Sequence, residues 1–387
     1  YLVLPFDARY RYLFLLHPPI LLVCSQLFVS PFLELGDGPS YRAVVSQYFD
    51  TASMAIDVGA LVDAYDLFDF LKYTSFGVVP IYAIPEHFFV RPTDEIYYLW
   101  QGAFHVGLSA FALTLARSWK VVNVTRLFSM ALCAVVAPSF FDLGAAATRH
   151  IVTFFGVFLL YFSYVALSQR ISASRALGLA LAVVLVMISK SSLILPFLAF
   201  VLVDLFFFLR INAKWILIIA AFTIGLGILS PYLLRNFVLY EEIANTGAAT
   251  FSGFTRLPVL GWIVKYVYAL LSPFPWSEAP YFIATSYGGN WLLFLLHALS
   301  AILGMYLFFA IILKVKTILT FDTELKRSIA YGLIMSLSIL RGSTGFHTYL
   351  LIYFPFFAPL LTEKRLRISL FIPMGFVLIV ELFTKFR

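Results

Sequence analysis

Residues 150–210 read HIVTFFGVFLLYFSYVALSQRISASRALGLALAVVLVMISKSSLILPFLAFVLVDLFFFLR. Three apolar runs follow one another, broken only at QRISASR (169–175) and at KSS (190–192). Each run approaches the roughly 20 residues that an α-helix needs to cross a bilayer. A membrane β-barrel would instead show short segments alternating apolar and polar positions. The rest of the 387-residue chain has the same character: 62% of its residues are hydrophobic, 18% aromatic and 12% charged. A soluble domain carries about 25% charged residues, so this composition cannot cover a water-facing surface. Soluble globular, disordered, coiled-coil and disulfide-rich secreted classes are excluded on that ground. The expected fold is an all-α, polytopic transmembrane helical bundle of about 11 spans. Its first outer loop is long and carries interfacial helices. Cys24 and Cys133 both fall inside apolar runs and read as small hydrophobes, with no disulfide or metal–thiolate site.

Working outward, spans are expected near 11–31, 96–116, 121–139, 150–168, 174–189, 191–209, 214–230, 290–313, 328–341, 347–362 and 367–384. Basic residues orient them. With the N-terminus inside, every short inner loop is basic: Arg9 and Arg11; Arg117, Lys120 and Arg126; Arg170 and Arg175; Arg210 and Lys214; Lys314, Lys316, Lys326 and Arg327; Lys364, Arg365 and Arg367. The net charge of +7 therefore reads as an orientation signal and not as a nucleic-acid footprint. The stretches 32–95 and 231–289 fall outside. Residues 74–90, TSFGVVPIYAIPEHFFV, are apolar, but a crossing there would invert the basic loops that follow, and Pro80 and Pro85 interrupt the run. They read as an interfacial or re-entrant element. Residues 49–69 have helical apolar spacing and read as a helix on the outer surface. The sequon Asn123-Val124-Thr125 falls in an inner loop. The organisation expected is a transmembrane catalytic module over 1–289, with outer loops 32–95 and 231–289, followed by C-terminal transmembrane helices over 290–387.

Several polar residues stand where chemistry at a membrane face could use them. Asp37 lies between Gly36 and Gly38 just past the first span, followed by Tyr41 and Arg42. A carboxylate there serves either as a helix cap or as a base at the membrane–water boundary. Asp142 lies in the short outer loop APSFFDLGAAATRHIV, with Arg149 and His150 at its end. Lys190 is a lone charge between two apolar runs. It reads either as a phosphate ligand or as a lysine snorkelling at a hairpin. Arg235 and Asn236 stand just past the end of the seventh span, Arg256 sits in the loop ATFSGFTRLP, and Arg341 and His347 lie at an outer hairpin. His17, Gln26, Asp204 and Glu381 read as packed or near the interface, and His105 as facing either packing or the cavity.

The order of these features resembles the GT-C class of polytopic glycosyltransferases, the superfamily of aminoarabinose transferases and protein O-mannosyltransferases. An Asp and a Tyr follow the first span (Asp37, Tyr41). The Pro-containing apolar helix GVVPIYAIPEHFFV precedes the second span, which ends ALTLARSWK. The third span ends APSFF, and SPYLLRNFVLY is similar to a Pro-x-x-x-Arg-Asn signature of bacterial members. The resemblance covers roughly residues 10–260 and rests on order and spacing. It implies a polyprenyl-phosphate-linked sugar donor, Asp37 as the base, and inversion by single displacement. Class members often carry a second acid near the start of the fourth span. Arg149 and His150 stand there instead, which leaves a two-acid site holding a divalent metal in doubt.

The expected function is transfer of a sugar from a polyprenyl-phosphate carrier to a lipid-linked glycan, lipid or protein. It would occur on the extracytoplasmic face of a membrane, read as a bacterial inner membrane. Basic groups would neutralise the phosphate as it leaves. Two other readings stay open. An O-antigen or exopolysaccharide polymerase would depend on the outer arginines Arg235, Arg256 and Arg341. A transporter or flippase for a lipid-linked glycan would place buried charges at mid-membrane and need no outer acid.

Overall fold

The computed structural model describes residues 49–50, 55–56, 96, 99–100, 111–136, 150–190, 193–209, 291–337, 347–369 and 371–385. These residues are helical, apart from loops and turns and one short strand pair. Strand β1 (Phe49–Asp50) pairs antiparallel with β2 (Ala55–Ile56), Phe49 opposite Ile56 and Asp50 opposite Ala55. This corrects the helix expected over 49–69 at its start: residues that pair antiparallel across so short a separation cannot lie on one continuous helix. Among the described residues, 111–118 are helical, and the helices with both ends described are α1 (Val124–Val136), α2 (His150–Gln169), α3 (Ala173–Lys190), α4 (Ile194–Val203), α5 (Trp291–Leu313), α6 (Val315–Ile318), α7 (Thr323–Ser336), α8 (His347–Thr362) and α9 (Phe371–Lys385). Two segments, Val152–Gln169 and Ala173–Lys190, are long and apolar enough to cross a membrane. The spans expected near 11–31 and 214–230, and the element 74–90, lie outside the described residues.

The chain divides into two compact units, Tyr1–Ile194 and Leu195–Arg387. In the first, α2 is apolar on every side, and every residue from Val152 to Ala166 is buried. A helix without a polar face has to be covered all round. Phe154, Phe158 and Phe162 stack along it at four-residue spacing, with ring centroids 4.7 and 5.4 Å apart. Helix α3 returns antiparallel and turns Gly178, Ala182 and Val186 inward. The approach is close: a Cβ on Gly156 would stand 2.6 Å from Val186 Cγ2, and one on Gly178 would stand 2.8 Å from the Trp119 ring and 2.9 Å from Ser163 Oγ. The opposite face of α3 exposes Leu177, Leu181 and Val184.

Polar groups close the hairpin at its tight end. Arg175 Nη1 donates to the carbonyls of Ala166 (2.6 Å) and Arg170 (3.0 Å), so a cation meets the negative, C-terminal end of α2. At the start of α1, Asn123 Oδ1 accepts from the Thr125 amide at 2.9 Å. The sequon asparagine is thus the helix cap.

In the second unit α4 runs into a wide π-helical turn, Asp204–Phe208. Helix α7 begins at Thr323, five residues before the span expected at 328. Asp322 Oδ1 accepts from the Leu325 amide at 2.9 Å and Glu324 sits in the first turn, both favourable at a helix N-terminus. The polar run TELKR is therefore helix and not loop. Helices α7 and α8 pack through Tyr331, which lies edge-on to Phe200 (4.8 Å) and Phe356 (4.6 Å).

Candidate functional site

Three of the candidate residues lie on described helices. Lys190 is the last residue of α3, His150 the first of α2 and His347 the first of α8. Because α2 and α3 are antiparallel, with Gly156 level with Val186 and Ser163 level with Gly178, His150 and Lys190 come to the same end of one hairpin. Their separation in sequence is 40 residues. Lys190 is buried, only 8% exposed, so its ammonium lies inside protein and is not stretched over a surface. Position helps to hold it there: a cation in the last turn of α3 meets the negative end of the helix dipole. The neighbouring Ser189 Oγ donates to the Leu185 carbonyl at 2.6 Å and so is turned back along the helix.

Asp37, Tyr41, Arg42, Asp142, Arg149, Arg235, Asn236, Arg256 and Arg341 lie outside the described residues. Arg149 immediately precedes His150 in the chain. Among the described residues no group of three His, Cys, Asp or Glu side chains comes together to hold a metal ion.

A buried charge pair in the second unit was not anticipated. Asp204, fully buried in the wide turn after α4, receives two hydrogen bonds from Arg327 on the second turn of α7. Nε donates to Oδ1 and Nη2 to Oδ2, each at 2.6 Å. This fork-to-fork geometry is the strong form of a carboxylate–guanidinium contact. Arg327 had read as one of four basic residues of an inner loop. It is instead nearly buried on a helix, and its charge is matched by Asp204. The signal that could have found it was the lone acid in an apolar run, which needs a partner. Next to the pair, Ser328 Oγ donates to the Phe356 carbonyl at 2.8 Å. No known protein family, no curated protein and no solved structure matches this chain.

Proposed function

We propose that this chain is a polytopic membrane glycosyltransferase of the GT-C type, taking its sugar from a polyprenyl-phosphate-linked donor. The observation that carries the reading is Lys190: a buried ammonium at the open end of an apolar hairpin, where α2 begins with His150. A charge kept at such a place in an apolar helix pair is costly and suits an anionic head group. On this reading Lys190 meets the donor phosphate, with Arg149 and His150 beside it. They stabilise the negative charge that grows as the sugar–phosphate bond breaks. Asp37 takes the proton from the acceptor hydroxyl. The face that carries this end of the hairpin is then the extracytoplasmic one.

The experiment is a pair of measurements on the purified full chain. Binding of undecaprenyl phosphate should weaken about ten- to over a hundredfold in Lys190→Gln, the worth of one charge-assisted hydrogen bond. It should be unchanged in Asp37→Asn. Transfer from a polyprenyl-phosphate-linked sugar should fall at least about a hundredfold in Asp37→Asn, the low end of a general base's contribution. Asn caps a helix as well as Asp, so a capping role would leave transfer near normal. Unchanged lipid binding in Lys190→Gln would remove the phosphate site from this hairpin.

The transporter reading has one observation in its favour, the buried Asp204–Arg327 pair. That pair is matched within itself, and it sits one residue along α7 from Lys326, whose Nζ donates to the Leu319 carbonyl in the preceding loop at 3.1 Å. It thus belongs to the basic loop end of α7. The transferase reading remains the better supported.

A further inference from the structure

In the second unit two connections lie together: α6 with its flanking residues, between α5 and α7, and the 3-10 turn Lys364–Leu366, between α8 and α9. The Ile368 amide, just past that turn, donates to the hydroxyl of Tyr306 on α5 at 3.2 Å, which fixes the second connection against the first helix of the pair. Between them they carry Lys314, Lys316, Lys326, Lys364, Arg365 and Arg367, six cations against the three carboxylates of Asp322, Glu324 and Glu363. Arg327 is not in this count, because Asp204 matches it. Lys316, Lys364, Arg365 and Arg367 are exposed.

The same connections expose large apolar side chains: Leu319 is 66% exposed and Phe371 is 83% exposed, with Leu313 also outward. Cations alone would suit any polyanion. Cations interleaved with exposed Leu and Phe, at the ends of apolar helices, suit a surface that is anionic at one depth and apolar a few ångströms deeper. We propose that this face docks onto the anionic phospholipid head groups of one bilayer leaflet. Lys316, Lys364, Arg365 and Arg367 take the phosphates, and Leu319 and Phe371 enter the acyl boundary. The inference rests on the membrane residence of the chain and not on sugar transfer.

The test is lipid retention by the full chain, reconstituted in vesicles of phosphatidylcholine with phosphatidylglycerol, extracted and weighed by native mass spectrometry. The wild type should retain phosphatidylglycerol over phosphatidylcholine. Each cation near the surface is worth about 1 kcal/mol, so the preference should fall about fivefold per cation replaced by Gln at the four named positions. Exchanging Lys for Arg and Arg for Lys at the same positions should keep it, which separates lost charge from a damaged fold. The preference should also shrink as ionic strength rises from about 0.1 M to about 1 M, where the Debye length falls from about 10 to about 3 Å. Equal retention of the two lipids by the wild type, or an undiminished preference in the four-fold Gln variant, would overturn the inference. So would displacement of phosphatidylglycerol by millimolar inorganic phosphate, which would mark a free-phosphate site. A chain that stays out of vesicles altogether would overturn the membrane reading as well. A chain that inserts without lipid preference would overturn this inference alone.

Discussion

The contact between α2 and α3 is closed by small residues and rings, whereas the contact between the wide turn after α4 and helix α7 is closed by charge. At the first, Gly156 lets Val186 approach and Gly178 lets Trp119 and Ser163 approach. At the second, a guanidinium and a carboxylate meet through two 2.6 Å hydrogen bonds, flanked by Tyr331 and Ser328. In a lipid setting, hydrocarbon outside is as apolar as leucine inside, so helices gain little by hiding leucines from it. What remains is close packing and polar contact, and this chain uses one in each unit. The two should fail differently. A glycine contact loses in proportion to the volume forced into it, whereas a buried ion pair fails all at once when one partner goes.

The largest effect is expected from Arg327→Met, which leaves the Asp204 carboxylate buried without its guanidinium. Stability, read as the midpoint of unfolding on titration with a denaturing detergent, should fall by about 3–5 kcal/mol. The double variant Asp204→Leu with Arg327→Met should recover most of that loss, because replacing both charges by apolar groups is often neutral or better. A double variant as weak as the single one would mean that the pair holds more than itself, and the comparison would break. Next comes Gly156→Leu, which forces side-chain atoms into the Val186 contact. The same titration should show a loss of about 1–3 kcal/mol. Ser328→Ala should be smaller, about 0.5–1.5 kcal/mol, for one buried hydrogen bond to the Phe356 carbonyl. Smallest is Ser163→Ala. Its buried hydroxyl has no hydrogen-bond partner among the described residues, so its removal should be neutral or slightly stabilising on the same scale. A clear loss at Ser163 would reveal a polar partner in the contact that looks purely steric, and would narrow the contrast.

Helix positions were largely legible in the apolar runs. The segments read at 150–168, 174–189, 290–313 and 347–362 match α2, α3, α5 and α8 to within one residue at each end. Run length and basic punctuation are local signals, and local signals survive into the fold. The misreadings came from polar residues inside helices and from contacts between distant ones. Thr323–Arg327 looked like loop because it is polar, yet Asp322 caps it and Arg327 faces inward. Arg327 and Asp204 stand 123 residues apart, and nothing in one sequence pairs them. At 49–56 the spacing fitted a helix while the chain formed a strand pair, because a few apolar residues fit either period. Of the candidate site, the sequence named Lys190 and His150 separately. Their arrival at one end of one hairpin follows from the antiparallel return of α3 and was not visible in either residue.

The wide turn at Asp204–Phe208 sets the rotational phase of the residues within it and of Leu209 at its end. The Leu209 amide bonds back to the Asp204 carbonyl, five residues earlier, at 3.0 Å. The turn therefore holds one residue more than an α-helical turn would. An α-helix advances about 100° per residue, so the extra residue twists the downstream side chains by about that angle relative to an uninterrupted helix. Asp204 can point at Arg327 while Phe206 and Phe207, two and three residues on, stay exposed. A deletion of one residue within 205–208 would let the turn close to α-helical spacing and leave the residues that follow it pointing as they do now, whereas closing the turn at full length would rotate them by about 100°. The wide turn is thus the place where one residue of chain length is absorbed, and its closure without that loss acts as a rotation.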